Sequence, residues 1–133
     1  MKTKIGSIFF VLILGLVFCC ISVSAQSRVV VKFARGSHSA TAKGTVNGYS
    51  YIDYVLGASA GQTMDVQLAS NNDKAQMVVL DPAGENVDAG TGVTEYNGTL
   101  DKSGNYKVRI LMSRADARRK GAVTSFTVTF RIE

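Results

Sequence analysis

His38 is the only histidine in the chain, and it stands in the loop-like stretch Gly36-Ser37-His38-Ser39. A hydrolytic triad would need a positioned serine beside that imidazole and a carboxylate behind it. No nucleophile-elbow pattern surrounds any serine, so His38 reads as an ordinary loop histidine. Both cysteines, Cys19 and Cys20, fall within an apolar leader, which leaves the rest of the chain without the ligands of a zinc site. Asp73, Asp81, Glu85 and Asp88 lack the D-x-[DN]-x-[DN]-G spacing of a calcium loop and read as turn carboxylates. A glycosidase acid pair would have to be assembled from distant strands, and nothing local marks one. Asn97-Gly98-Thr99 has the form of a glycosylation sequon but reads as a turn leading into a strand. These residues predict no enzyme, no metal and no cofactor.

The most informative chemistry is a turn, Asp101-Lys102-Ser103-Gly104-Asn105, that feeds the strand candidate Tyr106 to Ile110. Alternation points Tyr106, Val108 and Ile110 inward. Such a glycine-then-tyrosine start to a late strand is common in secreted sandwiches, where the tyrosine packs at the edge, so by itself it names no function.

The elements that must position this turn are strands. Val29, Val31 and Phe33 share one face of their segment, and Ile52, Tyr54 and Leu56 alternate with Tyr51, Asp53 and Val55. Met64, Val66 and Leu68 repeat the pattern, as do Phe126, Val128 and Phe130. Period-two spacing rich in Val, Thr, Tyr and Phe marks half-buried strands. Asn47-Gly48 suits a hairpin turn, and Asp81-Pro82-Ala83-Gly84 suits a type I turn. The expected fold is all-β, an antiparallel sandwich of about eight strands near 28–34, 39–47, 49–57, 62–69, 75–80, 93–100, 105–112 and 123–131. Residues 113–120 read as a basic connection, the one place where a short helix fits.

The leader has the three parts of a secretory signal: Lys2 and Lys4, an apolar run from Ile8 to Ile21, and Val23-Ser24-Ala25 at the cleavage position. The run falls short of the ~20 residues of a spanning helix. Phe18 before Cys19 is too large for a lipoprotein signal. Residues 1–25 are therefore expected to be a cleaved signal peptide and 26–133 a single cysteine-free domain in the periplasm, without membrane contact after cleavage. Lys2 and Lys4 depart with the leader, so the excess charge falls from +5 to +3. That is too mild for nucleic acid, and no basic stripe with interleaved aromatics is present.

Longer stretches carry a resemblance. Ala34-Arg35-Gly36-Ser37, Ala40-Thr41-Ala42-Lys43-Gly44, Asp53-Tyr54 and Ala60-Gly61-Gln62-Thr63 resemble the opening of the periplasmic inhibitors of invertebrate-type (i-type) lysozyme. Ser103-Gly104-Asn105-Tyr106 resembles that family's S-G-x-x-Y motif. Val108-Arg109-Ile110-Leu111-Met112, followed by Arg114, Ala117, Arg118 and Arg119, resembles its "VR-x-x-LMR-x-x-ARR" stretch, with Ser113 inserted before Arg114. The similarity is weak from Asn71 to Thr94. It implies a proteinaceous inhibitor that inserts its loop into a lysozyme cleft, with Ser103, Gly104 and Tyr106 at the contact and Arg118 and Arg119 beside it. A serine hydroxyl would hydrogen-bond a catalytic carboxylate, a tyrosine would give contact area at little entropic cost, and basic residues would complement an acidic cleft. The expected partner is lysozyme, the i-type first, and a homodimer is allowed. The AGQT turn and SGNY strand also resemble prepeptidase C-terminal domains. That likeness gives the alternative, a non-catalytic module binding envelope polysaccharide or protein.

Overall fold

The computed structural model describes residues 26–133, so the expected signal peptide, with Cys19 and Cys20, lies outside the described residues. Nine strands and one short helix follow in order: β1 (Gln26–Val30), β2 (Ser39–Asn47), β3 (Tyr51–Ala58), β4 (Thr63–Ser70), β5 (Ala75–Leu80), β6 (Asn86–Val93), β7 (Glu95–Thr99), β8 (Gly104–Met112), α1 (Arg114–Ala117) and β9 (Val123–Ile132). They form two sheets, β1-β3-β8-β5-β6 and β2-β9-β4-β7, and the all-β sandwich expected from the alternation is present.

The apolar faces read from the sequence are the faces that meet. Met64, Val66 and Leu68 of β4 and Phe126, Val128 and Phe130 of β9 are buried against Tyr54, Leu56, Tyr106, Val108 and Ile110 of the other sheet. Tyr54 fixes the contact, lying edge-on to Phe126 at 6.2 Å and tilted against Phe130 at 5.4 Å. Gly44 makes room for this cluster, because a Cβ there would stand 2.7 Å from the Phe126 ring.

Three expectations are corrected. Asn47-Gly48 does not make a hairpin: β2 pairs with β9 and β3 with β8, so the turn carries the chain from one sheet to the other. Nearly every connection does the same, and only β5 and β6 are joined as neighbours within one sheet. The first strand pairs with β3 in parallel and ends at Val30, although Val31 and Phe33 still pack on the core. The chain also holds a strand, β6, where none was expected, and that strand pairs with β5 through two register shifts.

This cross-over wiring gathers the turns at two ends. The β3–β4, β5–β6 and β7–β8 connections share one end, and the β2–β3, β4–β5 and β8–β9 connections share the other.

Candidate functional site

The turn from Asp101 to Ser103 and the first two residues of β8, Gly104 and Asn105, form one loop tip between the β3–β4 and β5–β6 turns, and all five residues are exposed. Three independent ties hold it. The Ser103 Oγ accepts a hydrogen bond from the Ala60 backbone N–H at 2.9 Å. The Lys102 ammonium meets the Asp81 carboxylate at 2.9 Å. The Tyr106 hydroxyl donates to the Lys102 carbonyl at 2.8 Å and accepts from the Lys102 N–H at 3.2 Å.

Each neighbouring turn is itself braced. Asp81 accepts from the Ala83 and Glu85 N–H groups at 2.9 and 3.0 Å, which closes the β5–β6 turn around its side chain. Gln62 accepts from the Ser59 N–H, and Gly61 and Leu100 join the β3–β4 turn to the end of β7. Gly104 has φ +142°, and a Cβ there would sit 2.9 Å from Pro82. Only glycine allows both that conformation and that approach. The Lys102 ammonium, then the Glu85 N–H, holds the Asp81 carboxyl below its ordinary value, and Asp81 in turn raises Lys102.

The candidate residues do not form one patch. Tyr106 is buried at 2% exposure, so its ring packs in the core while its hydroxyl clamps the loop. The chain has one residue, Asn105, between Gly104 and Tyr106, where the S-G-x-x-Y pattern has two. Period two explains the consequence: at this spacing the tyrosine joins Val108 and Ile110 on the inward face, and one step later it would face outward. Arg118 and Arg119 follow β8 at its far end, and the eight steps between its nine residues, at ~3.3 Å each, set the two ends of the strand about 26 Å apart. Ser113, the residue that departs from the LMR pattern, caps α1: its Oγ accepts from the Asp116 N–H at 3.2 Å.

Other residues singled out in the sequence serve structure. Arg109 makes a two-point pair with Asp53 at 2.8 and 3.1 Å and lies 4.1 Å over the Tyr51 ring, bracing the outer face of its sheet. Asp81, Pro82 and Ala60 belong to the site through long-range contacts that no local pattern announces. Beside the loop is a concavity of about 230 Å³ lined by Asp81, Asn86, Asp88, Tyr96, Asp101 and Lys102, among others. Among the described residues no three His, Cys, Asp or Glu side chains are grouped to hold a metal.

No protein-family model matches the chain. The inhibitor of g-type lysozyme from Escherichia coli strain K12 is 30% identical over 98% of this chain and 99% of its own length. The crystal structure of Aeromonas hydrophila PliG, a periplasmic inhibitor of g-type lysozyme, superposes with a TM-score of 0.72 at 33% identity, covering 81% of this chain and 97% of that one. Salmonella Typhimurium PliG, also a periplasmic inhibitor of g-type lysozyme, gives 0.66 at 29% identity, covering 80% and 98%. The pre-peptidase C-terminal domain of a Bacillus anthracis collagenase, at 14% identity and a TM-score of 0.50, covers 81% of this chain and 94% of its own and shares the fold alone. The lysozyme type named by these relatives is g, which corrects the i-type specificity that the sequence resemblance implied.

Proposed function

This chain belongs to the family of periplasmic inhibitors of g-type lysozyme, and from that membership we propose that its mature domain blocks a g-type lysozyme with the braced loop Asp101–Asn105. The family is one of non-catalytic proteins, so the chain is not an enzyme. Its relatives are periplasmic, as the leader predicts for this chain.

The observation that carries the loop assignment is the Ala60 N–H donating to Ser103 Oγ. A hydroxyl has one donor hydrogen and two acceptor lone pairs. Ala60 occupies an acceptor position, which leaves the O–H to donate outward to an acceptor such as a carboxylate in the lysozyme cleft. Lys102, Ser103, Gly104 and Asn105 offer the surface, and Tyr106 acts from below by holding the Lys102 backbone. The loop is ordered before it meets its target, so little entropy is lost on binding. Arg118 and Arg119 lie at the other end and take no part in this contact.

The test is a titration of g-type lysozyme activity with mature protein and its Ser103→Ala and Arg118→Ala variants. Ser103→Ala weakens inhibition and Arg118→Ala leaves it unchanged. Equal potency of all three proteins removes the loop assignment, and absence of inhibition by wild type removes the function.

A further inference from the structure

The end of the sandwich opposite the loop carries a feature that lysozyme inhibition does not use. Arg114, Arg118, Arg119 and Lys120 fall within seven residues, are all exposed, and have no ion-pair partner among the described residues. The Asp116 carboxylate in their midst is already occupied by Lys74 at 3.1 Å and by the Ser113 hydroxyl at 3.0 Å. Asp53, at the same end, is taken by Arg109, while Asp73 lies on the β4–β5 turn and Glu95 opens β7, and neither is ion-paired with these cations.

Beside these cations are the two most outlying apolar features of this end. Tyr49 is 68% exposed and Val123 is 46% exposed. The chain holds them next to the basic segment: Asn47 pairs with Val123 in the β2–β9 ladder, and the Gly48 N–H donates to the Ala122 carbonyl at 2.9 Å. A concavity of about 210 Å³ lined by Asn72, Lys74, Arg119, Lys120 and Val123 opens between the β4–β5 turn and this segment.

We propose that this basic end is a docking surface for an anionic phospholipid bilayer, leaving the loop at the far end free for lysozyme. Exposed guanidinium and ammonium groups without carboxylate partners are drawn to anionic headgroups, each adding to the attraction within a Debye length of the surface. A soluble polyanion would need only the charges. The adjoining exposed tyrosine and valine favour a membrane interface, where an amphipathic ring settles at headgroup depth. The contact is peripheral and reversible, and it amends the expectation that the processed domain has no membrane contact. It stands independently of the loop assignment, because the two surfaces are separated by the length of β8.

Co-sedimentation of the mature protein with vesicles tests it, comparing phosphatidylcholine alone with phosphatidylcholine containing phosphatidylglycerol. The protein sediments with the anionic vesicles only and is released by high salt. Loss of two cations in the double variant R118S/R119S lowers partitioning at least about tenfold, and Tyr49→Ser lowers it further. Melting temperature and lysozyme inhibition stay at wild-type values, which separates this result from any failure of the loop. Should the double variant not fold, Lys120→Glu carries the same comparison. Equal sedimentation with both vesicle types, binding unmoved by the charge variants, or capture by a soluble anionic polysaccharide without capture by vesicles would overturn the proposal.

Discussion

Ser103 and Tyr106 divide the work of one loop between surface and support. Ser103→Ala removes the outward donor, and interface anchors lose ~2 kcal/mol or more on truncation, so inhibition of g-type lysozyme should weaken about thirtyfold. The Ala60 N–H it also leaves is at an exposed turn, so thermal stability should fall by less than about 1 kcal/mol. Tyr106→Phe keeps the ring in the core but deletes both hydrogen bonds to Lys102. It should cost about 1 kcal/mol in stability and weaken inhibition even though the residue is buried beneath the loop. A Tyr106→Phe protein with wild-type inhibition and wild-type loop amide protection would show that the clamp is unimportant. The serine and the tyrosine were both legible in the sequence, because a turn before an alternating strand has a visible pattern. Their different roles were not, since the single residue between Gly104 and Tyr106 decides which face the ring takes. Ala60, Asp81 and Pro82 were invisible as site residues: they reach the loop only through the fold.

At the scale of elements, the β5–β6 turn is the buttress of the loop, and the Lys102–Asp81 pair joins them. The lowered Asp81 pKa means its contribution is fully present above the ordinary value of 3.8 and is lost as pH falls through the still lower folded value. The raised Lys102 pKa means its share is fully present below 10.5 and is lost as pH rises through the higher folded value. Amide shifts of Ser103 and Gly104, followed by NMR, should therefore hold steady from about pH 5 to 9 and move in stronger acid. Movement near neutrality would contradict the pair. The strand β6 needs a different test. Gly90 is buried, and a Cβ there would meet the Val79 side chain at 2.7 Å, so Gly90→Ala should destabilise the domain by about 1–3 kcal/mol in a denaturant melt. This strand escaped the sequence because its segment has two glycines, little burial and two register shifts, so no period of two survives. Asn47-Gly48 misled for a related reason: a turn's dihedral preferences are local, whereas its partner strands are chosen by the core. Gly48 does adopt φ +53°, but in a turn between sheets.

The molecule as a whole is a sandwich whose wiring sends its turns to two ends about 26 Å apart. One end presents the braced loop and the other a basic tip. The fold class was legible because inward faces repeat along β4, β8 and β9, and these three strands supply much of the core. The lysozyme type was not legible, since specificity depends on the partner's surface, which this sequence does not contain. With both cysteines inside the expected signal peptide, the melting temperature of protein isolated from the periplasm should not change with a thiol reductant; a drop would show that Cys19 and Cys20 are retained. The most direct test of the central claim is the activity of a g-type lysozyme titrated with wild-type mature protein at micromolar concentration. The account predicts a saturable fall in activity that Ser103→Ala shifts about thirtyfold toward higher inhibitor concentration, and a lysozyme that stays fully active throughout the titration would contradict it.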